Sequence, residues 1–126
     1  MSSEPLETAS SRDAQDDRTA ARWSVRRESE PDRLVIELHG RLSLYDSFAA
    51  GAALARELSA GPAAVVCDVR GLENYDPLAR DMWRDALWPV RGNLKLITYR
   101  GHGVLPRLDA TMLAAALEVP CEFIDD

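Results

Sequence analysis

A chain of 126 residues, 46% of them hydrophobic, is long enough for one compact domain with its own core and too short for two. Its 21 acidic side chains against 15 basic ones leave a net charge of -6, which argues against nucleic-acid binding, because neutralising phosphates takes a surplus of Lys and Arg. No run approaches the roughly 18 apolar residues of a membrane span, no basic-then-apolar leader opens the chain, and Cys67 and Cys121 alone make no disulfide framework, so a cytoplasmic, soluble protein is expected.

Residues 1–20 hold Glu4, Glu7, Asp13, Asp16 and Asp17 against Arg12 and Arg18, with Leu6 as the one large aliphatic after Met1. Such a segment buries too little apolar surface to offset the entropy of ordering it, and a disordered tail is expected there, followed by a single domain over 21–126. Residues 22–28 alternate Trp23 and Val25 with polar neighbours, the pattern of a half-buried strand. Residues 33–39 read as a second strand with Leu34, Ile36 and Leu38 on one face, ended by Gly40. Asp46 and Ser47 are helix N-cap candidates, and Phe48, Ala52, Ala55 and Leu58 fall at helical spacing behind them. After the Gly61-Pro62 break, residues 63–69 form a near-continuous apolar run, as in a central strand covered on both faces.

The most informative stretch is 68–90, DVRGLENYDPLARDMWRDALWPV. Asp76 followed by Pro77 is a helix start: a side-chain acceptor, then a residue whose missing N–H costs nothing in the first turn. Leu78, Met82 and Ala86 share one stripe, with Ala79, Trp83 and Leu87 beside it, while Arg80, Asp81, Arg84 and Asp85 form the wet face. Trp88-Pro89 closes that helix, and residues 92–99 read as another strand. A helix over 105–117 follows with Leu105, Leu108, Met112 and Ala115 as its core stripe, and a short strand over 121–124 ends the pattern.

The order β-β-α-β-α-β-α-β implies an α/β fold: one mixed, mainly parallel sheet with right-handed crossovers. Four stretches carry a resemblance to a known family: RLVIELHGRLSLYDSFAAGAAL, AAVVCDVRGLENYD, NLKLITYR and VLPRLDATMLAAALEVPCEFID. Together they resemble the STAS family of sulfate transporter and anti-sigma factor antagonist domains over roughly 23–126. The resemblance implies a bacterial, non-enzymatic signalling module acting in transcription regulation. Its partner would be an anti-sigma or kinase-like regulator, or a scaffold, met at the start of the second helix. In the bacterial antagonists the Asp opening that helix is followed by Ser-Ser-Gly or Ser-Thr-Gly, one hydroxyl being the phosphoacceptor. Here Asp76 matches the Asp, but Pro77 and Leu78 stand where the hydroxyls would be, so the usual phosphate switch has nothing to act on at this site.

The expected partner surface is Tyr75, Asp76, Pro77, Arg80 and Arg84 together with the Tyr45, Asp46 and Ser47 loop. A helix cap is sufficient to explain Asp76, a turn carboxylate Asp68, and core packing Cys67 and Cys121. His39 is expected on a strand surface and His102 in a turn, with no ligand-spaced companions, so no metal site and no cofactor are expected. No nucleophile, base and orienting group assemble, so no catalysis is expected. Basic residues outnumber acids across 76–107, whereas the C-terminus is acidic, a polarity that can steer a partner. Trp88, at a helix end, is the better interface candidate of the two tryptophans there. Two classes of function remain: a protein-interaction module, with a second copy of the chain also an admissible partner, and a small apolar ligand or lipid-binding domain whose pocket is lined by Leu72, Leu78 and Trp83.

Overall fold

The computed structural model describes residues 22–29, 32–101 and 103–124, so the tail expected over 1–20 and the turn residue His102 lie outside the described residues. The elements run β1 Trp23–Ser29, β2 Asp32–Leu42, α1 Leu44–Leu58, β3 Ala63–Tyr75, α2 Ala79–Leu87, a 3-10 turn Trp88–Asn93, β4 Leu94–Arg100, α3 Val104–Leu117 and β5 Cys121–Ile124. The sheet order is β1-β2-β3-β4-β5, with β1 antiparallel to β2 and every other pair parallel. This is the α/β order and the mixed, mainly parallel sheet that the periodicity predicts. Sequential parallel neighbours joined by right-handed crossovers place α1, α2 and α3 on one face of the sheet.

The register separates the two faces. Leu34 and Ile36 of β2 pair across to Val65 and Cys67 of β3, and these to Ile97 and Tyr99 of β4, forming with Leu38 the floor beneath the helices. The opposite face carries Arg26, Glu28, Arg33 and Glu37, tied by the ion pairs Arg26–Glu37 at 2.9 Å and Arg33–Glu28 at 2.7 Å. Val35 and Val66 are buried there as well, which accounts for the unbroken apolar run of β3. Both long strands outrun their expected ends. At Gly40, where β2 was expected to stop, the chain takes a positive φ of 64°, the ladder slips register, and the strand continues to Leu42. A side chain at that position would be strained. Cys67 and Cys121 sit on strands separated by β4, and both are free thiols.

Four expectations about the helices are corrected. The N-cap of α1 is Ser43, not Asp46 or Ser47. The buried stripe of α1 is Ser47, Ala50, Gly51, Leu54 and Leu58, while Phe48 faces solvent. The segment is alanine-rich on every side, so periodicity alone leaves its rotation open. Tertiary packing decides it, because Ala50 and Gly51 are the small residues that let α2 approach. In α3, among the described side chains, which do not include that of Leu105, Ala114 and Leu117 are buried and Ala110 and Leu113 pack against the core, whereas Leu108 and Met112 are exposed. That helix turns its one acid, Asp109, toward α2 and the end of β3, because its partners are there. Finally, α2 begins at Ala79, later than Asp76 and Pro77, and Leu78 stands outside the core.

Candidate functional site

The strands β2 and β3 end side by side, Leu42 opposite Tyr75, so the starts of α1 and α2 lie next to each other at the carboxyl edge of the sheet. Open parallel sheets offer their binding sites at this edge. Here α1 opens with a capping box: the Asp46 N–H donates to Ser43 Oγ at 3.0 Å and the Ser43 N–H donates to Asp46 Oδ2 at 3.2 Å. Asp46 is therefore occupied by its own helix. Ser47 is only 2% exposed, and its carbonyl accepts a buried hydrogen bond from Trp83 Nε1 at 2.8 Å, which fixes α2 against the first turn of α1. Tyr45, by contrast, is 76% exposed and Phe48 53%.

On the α2 side, Asp76 Oδ1 accepts the Leu78 N–H at 2.9 Å, holding the Pro77-Leu78 turn that leads into the helix. Leu78 is 56% exposed. Arg80 is half-buried rather than a free surface cation. Its Nη1 bonds Asp109 Oδ1 at 2.9 Å and contacts Met112 Sδ at 3.2 Å, tying α2 to α3. The Tyr75 hydroxyl donates to the other oxygen of the same carboxylate. Burial, and next that bond to Asp109, hold the Tyr75 hydroxyl above the ordinary phenol range. Arg84 pairs within its own helix, with Asp81 at 3.3 Å and Asp85 at 3.2 Å. Trp88, at the far end of α2, is partly exposed, with the Arg91 guanidinium stacked 3.6 Å from its ring centroid.

The structure thus brings Tyr45, Tyr75, Asp76, Pro77 and Arg80 to one edge, keeps the Ser47 side chain inside, and commits Asp46 and Arg84 to helical partners. Sequence reasoning missed Phe48, Leu108 and Met112, which it assigned to the core, and Asp109, which it counted among the acids of the C-terminus. The Ser43-Leu44-Tyr45-Asp46 string carries a capping-box signal that places the α1 start correctly. No local signal marks Asp109, whose partners Tyr75 and Arg80 lie 34 and 29 residues away.

Beneath this edge lies a cavity of about 100 Å³ between the sheet and the three helices. Leu38, Val65, Leu72, Trp83 and Leu113 are among its walls. Two of the three residues expected to line a pocket, Leu72 and Trp83, do so, whereas Leu78 lies outside it. Cys67 is on its floor, and burial, with lesser help from Asp68 and Cys121, pushes the thiol up to about 12, which keeps it protonated. Tyr99 is also on the floor, and no group among the described residues hydrogen-bonds its hydroxyl. On the opposite face of β3, Asp68 accepts bonds from Arg70 Nε at 3.0 Å and Nη2 at 2.8 Å, and this pairing holds its carboxyl below the ordinary range. Among the described residues no three His, Cys, Asp or Glu side chains converge in a metal-binding set, and no helix is long and apolar enough to cross a membrane.

No family model and no curated protein matches the chain. A solved structure from Shewanella loihica, described as an uncharacterized protein from the DUF3478 family with a SpoIIAA-like fold, does match. It is 16% identical, with a TM-score of 0.62 over 82% of this chain and 85% of that one. The chain therefore has a SpoIIAA-like, STAS-like fold, the fold of anti-sigma factor antagonists.

Proposed function

We propose that the chain is a non-enzymatic interaction module that binds a regulatory protein of the anti-sigma or kinase-like type through the adjoining starts of α1 and α2. The observation that carries this reading is the exposure of Tyr45, Phe48 and Leu78 on two helix starts locked together by the Trp83–Ser47 bond. Large apolar side chains grouped on a rigid edge mark an interaction site, and burying each on docking contributes about 1.5–3 kcal/mol. The SpoIIAA-like fold supports the same reading. So does the occupation of the polar groups: Asp46 by the helix cap, Asp76 by the turn, and Asp109 by Tyr75 and Arg80. A site whose carboxylates are all engaged in holding the scaffold fits binding better than acid-base chemistry.

Pro77 and Leu78 offer no hydroxyl to a kinase, so binding at this edge is constitutive or gated elsewhere than at those two positions. A role in transcription regulation in a bacterial cytoplasm belongs to the same proposal. The test is site-specific photo-crosslinking in the cells that make the protein. A photoreactive residue at position 45 and, separately, at position 78 should trap one and the same ATP-binding regulator, while one at exposed Glu57, in the last turn of α1, should not. A self-adduct from both positions would make the surface a homodimer contact, and equal trapping at position 57 would dismiss the surface altogether.

A further inference from the structure

We infer that the outer face of α3 is a self-association surface, on which the same face of a second copy of this chain packs antiparallel about a two-fold axis beside Met112. This goes beyond the regulator-binding reading and does not depend on it, because α2 stands between this face and the Tyr45 and Phe48 of α1. Helical periodicity defines the face. Ala110, Leu113, Ala114 and Leu117 turn toward the core, so at about 100° per residue Leu108, Thr111, Met112 and Ala115 turn away from it. All four are exposed, Leu108 by 51% and Met112 by 44%. The helix has two ionised side chains, and neither stands on this stripe. Arg107 lies over the Phe123 ring, 4.4 Å from its centroid, and Asp109 is held by Tyr75 and Arg80. The Thr111 hydroxyl donates within the helix, to the Arg107 carbonyl oxygen at 2.9 Å. The outer side of α2, by contrast, carries Asp81, Arg84 and Asp85. An uncharged helix face bearing large apolar side chains is the kind that another surface covers.

Shape and charge both make the covering surface a second copy. The stripe is self-complementary: Leu108 is large near one end of α3 and Ala115 small near the other. Reversing the second helix seats each Leu108 against Ala115 of the other copy, as a two-fold contact requires. Charge selects the same register. Arg107 and the C-cap residue Glu118 lie on one flank of the helix, about three turns apart. A two-fold axis midway between them passes beside Met112 and brings Arg107 of each copy level with Glu118 of the other. The Leu108–Ala115 midpoint lies one residue from that axis, about 1.5 Å along the helix. The same arrangement opposes the two helix dipoles. A contact between two helices is at the small end of specific interfaces, so a micromolar, concentration-dependent dimer is expected.

Light scattering of the full chain over a concentration series tests this, with Leu108→Glu and Ala115→Lys as the variants. Both positions are exposed, so the circular dichroism of each variant should match that of the unaltered chain. The unaltered chain should pass from monomer to dimer as concentration rises, and each variant alone should need at least about tenfold more protein to do so. An equimolar mixture of the two variants should dimerise more tightly than either one. In the mixed dimer one Leu108–Ala115 contact is intact, and the other position pairs the two introduced opposite charges. Three results would overturn the inference. An unaltered chain that stays monomeric at millimolar concentration would mean that solvent or another segment of the same chain covers the face. Variants that dimerise as readily as the unaltered chain would place the contact elsewhere. A mixture no tighter than its components would reject the reversed packing, since only that packing brings positions 108 and 115 together.

Discussion

The indole Nε1 of Trp83 donates to the carbonyl oxygen of Ser47 at 2.8 Å, a buried bond between helices 36 residues apart in sequence. Gly51 makes the approach feasible, since a Cβ there would stand 3.2 Å from Trp83 Cδ1. Through this contact the starts of α1 and α2 form one rigid edge.

Removing the bond or its seat should loosen the edge. Trp83→Phe is expected to lower stability by about 1–2 kcal/mol, and Trp83→Ala by about 3–5 kcal/mol, measured by urea unfolding. Gly51→Val should cost about 2 kcal/mol, and less in a Trp83→Leu background, because the clash is with the indole. Additive losses would mean that the two positions do not share a contact.

The exposed side chains should behave oppositely. Tyr45→Ser and Leu78→Ser are expected to change stability by less than about 0.5 kcal/mol, because neither packs in the core. Each should weaken the partner complex about tenfold or more. A drop in thermal midpoint matching that of a core substitution would show these residues to be structural.

Acidification should expose the Asp68–Arg70 pairing. The Asp68 carboxyl titrates below its unfolded value, chiefly because Arg70 bonds its ionised form. The stability it contributes is thus fully present above the unfolded value of about 3.9 and is lost as pH falls through the lower folded value. Asp68→Asn is expected to be less stable at pH 7 and to show a flatter acid limb in pH-dependent unfolding. An unchanged acid limb would remove Asp68 from the account.

The thiol of Cys67 should be sluggish. With its titration pushed up to about 12, little thiolate exists at pH 8. Alkylation at this position, followed by mass spectrometry, should be at least about 100-fold slower in the folded chain than in urea. Comparable rates would show that the cavity floor is open to reagents.

The element order was legible because strand and helix periodicities alternate cleanly from Trp23 to Ile124, and Trp83 already stood beside the apolar stripe of its helix. Helix rotation was not. In α1 and α3 alanines surround the axis, and what orients each helix is a partner remote in sequence: Trp83 for Gly51, and Tyr75 and Arg80 for Asp109. For the same reason Phe48, Leu108 and Met112 read as core and prove to be surface. Arg80 read as part of the wet face of its own helix because its counter-ion, Asp109, lies on another helix. The turn into the second helix was legible from Asp76 and Pro77, but the division between side chains that hold this edge and side chains that stand exposed on it was not.

The most direct measurement of the central claim is a calorimetric titration of the purified protein with the regulator trapped at positions 45 and 78, comparing the unaltered chain with Leu78→Asp. The account predicts at least a tenfold rise in Kd with the thermal midpoint unchanged. An unchanged Kd would contradict it, because the complex would then form without the edge built by α1 and α2.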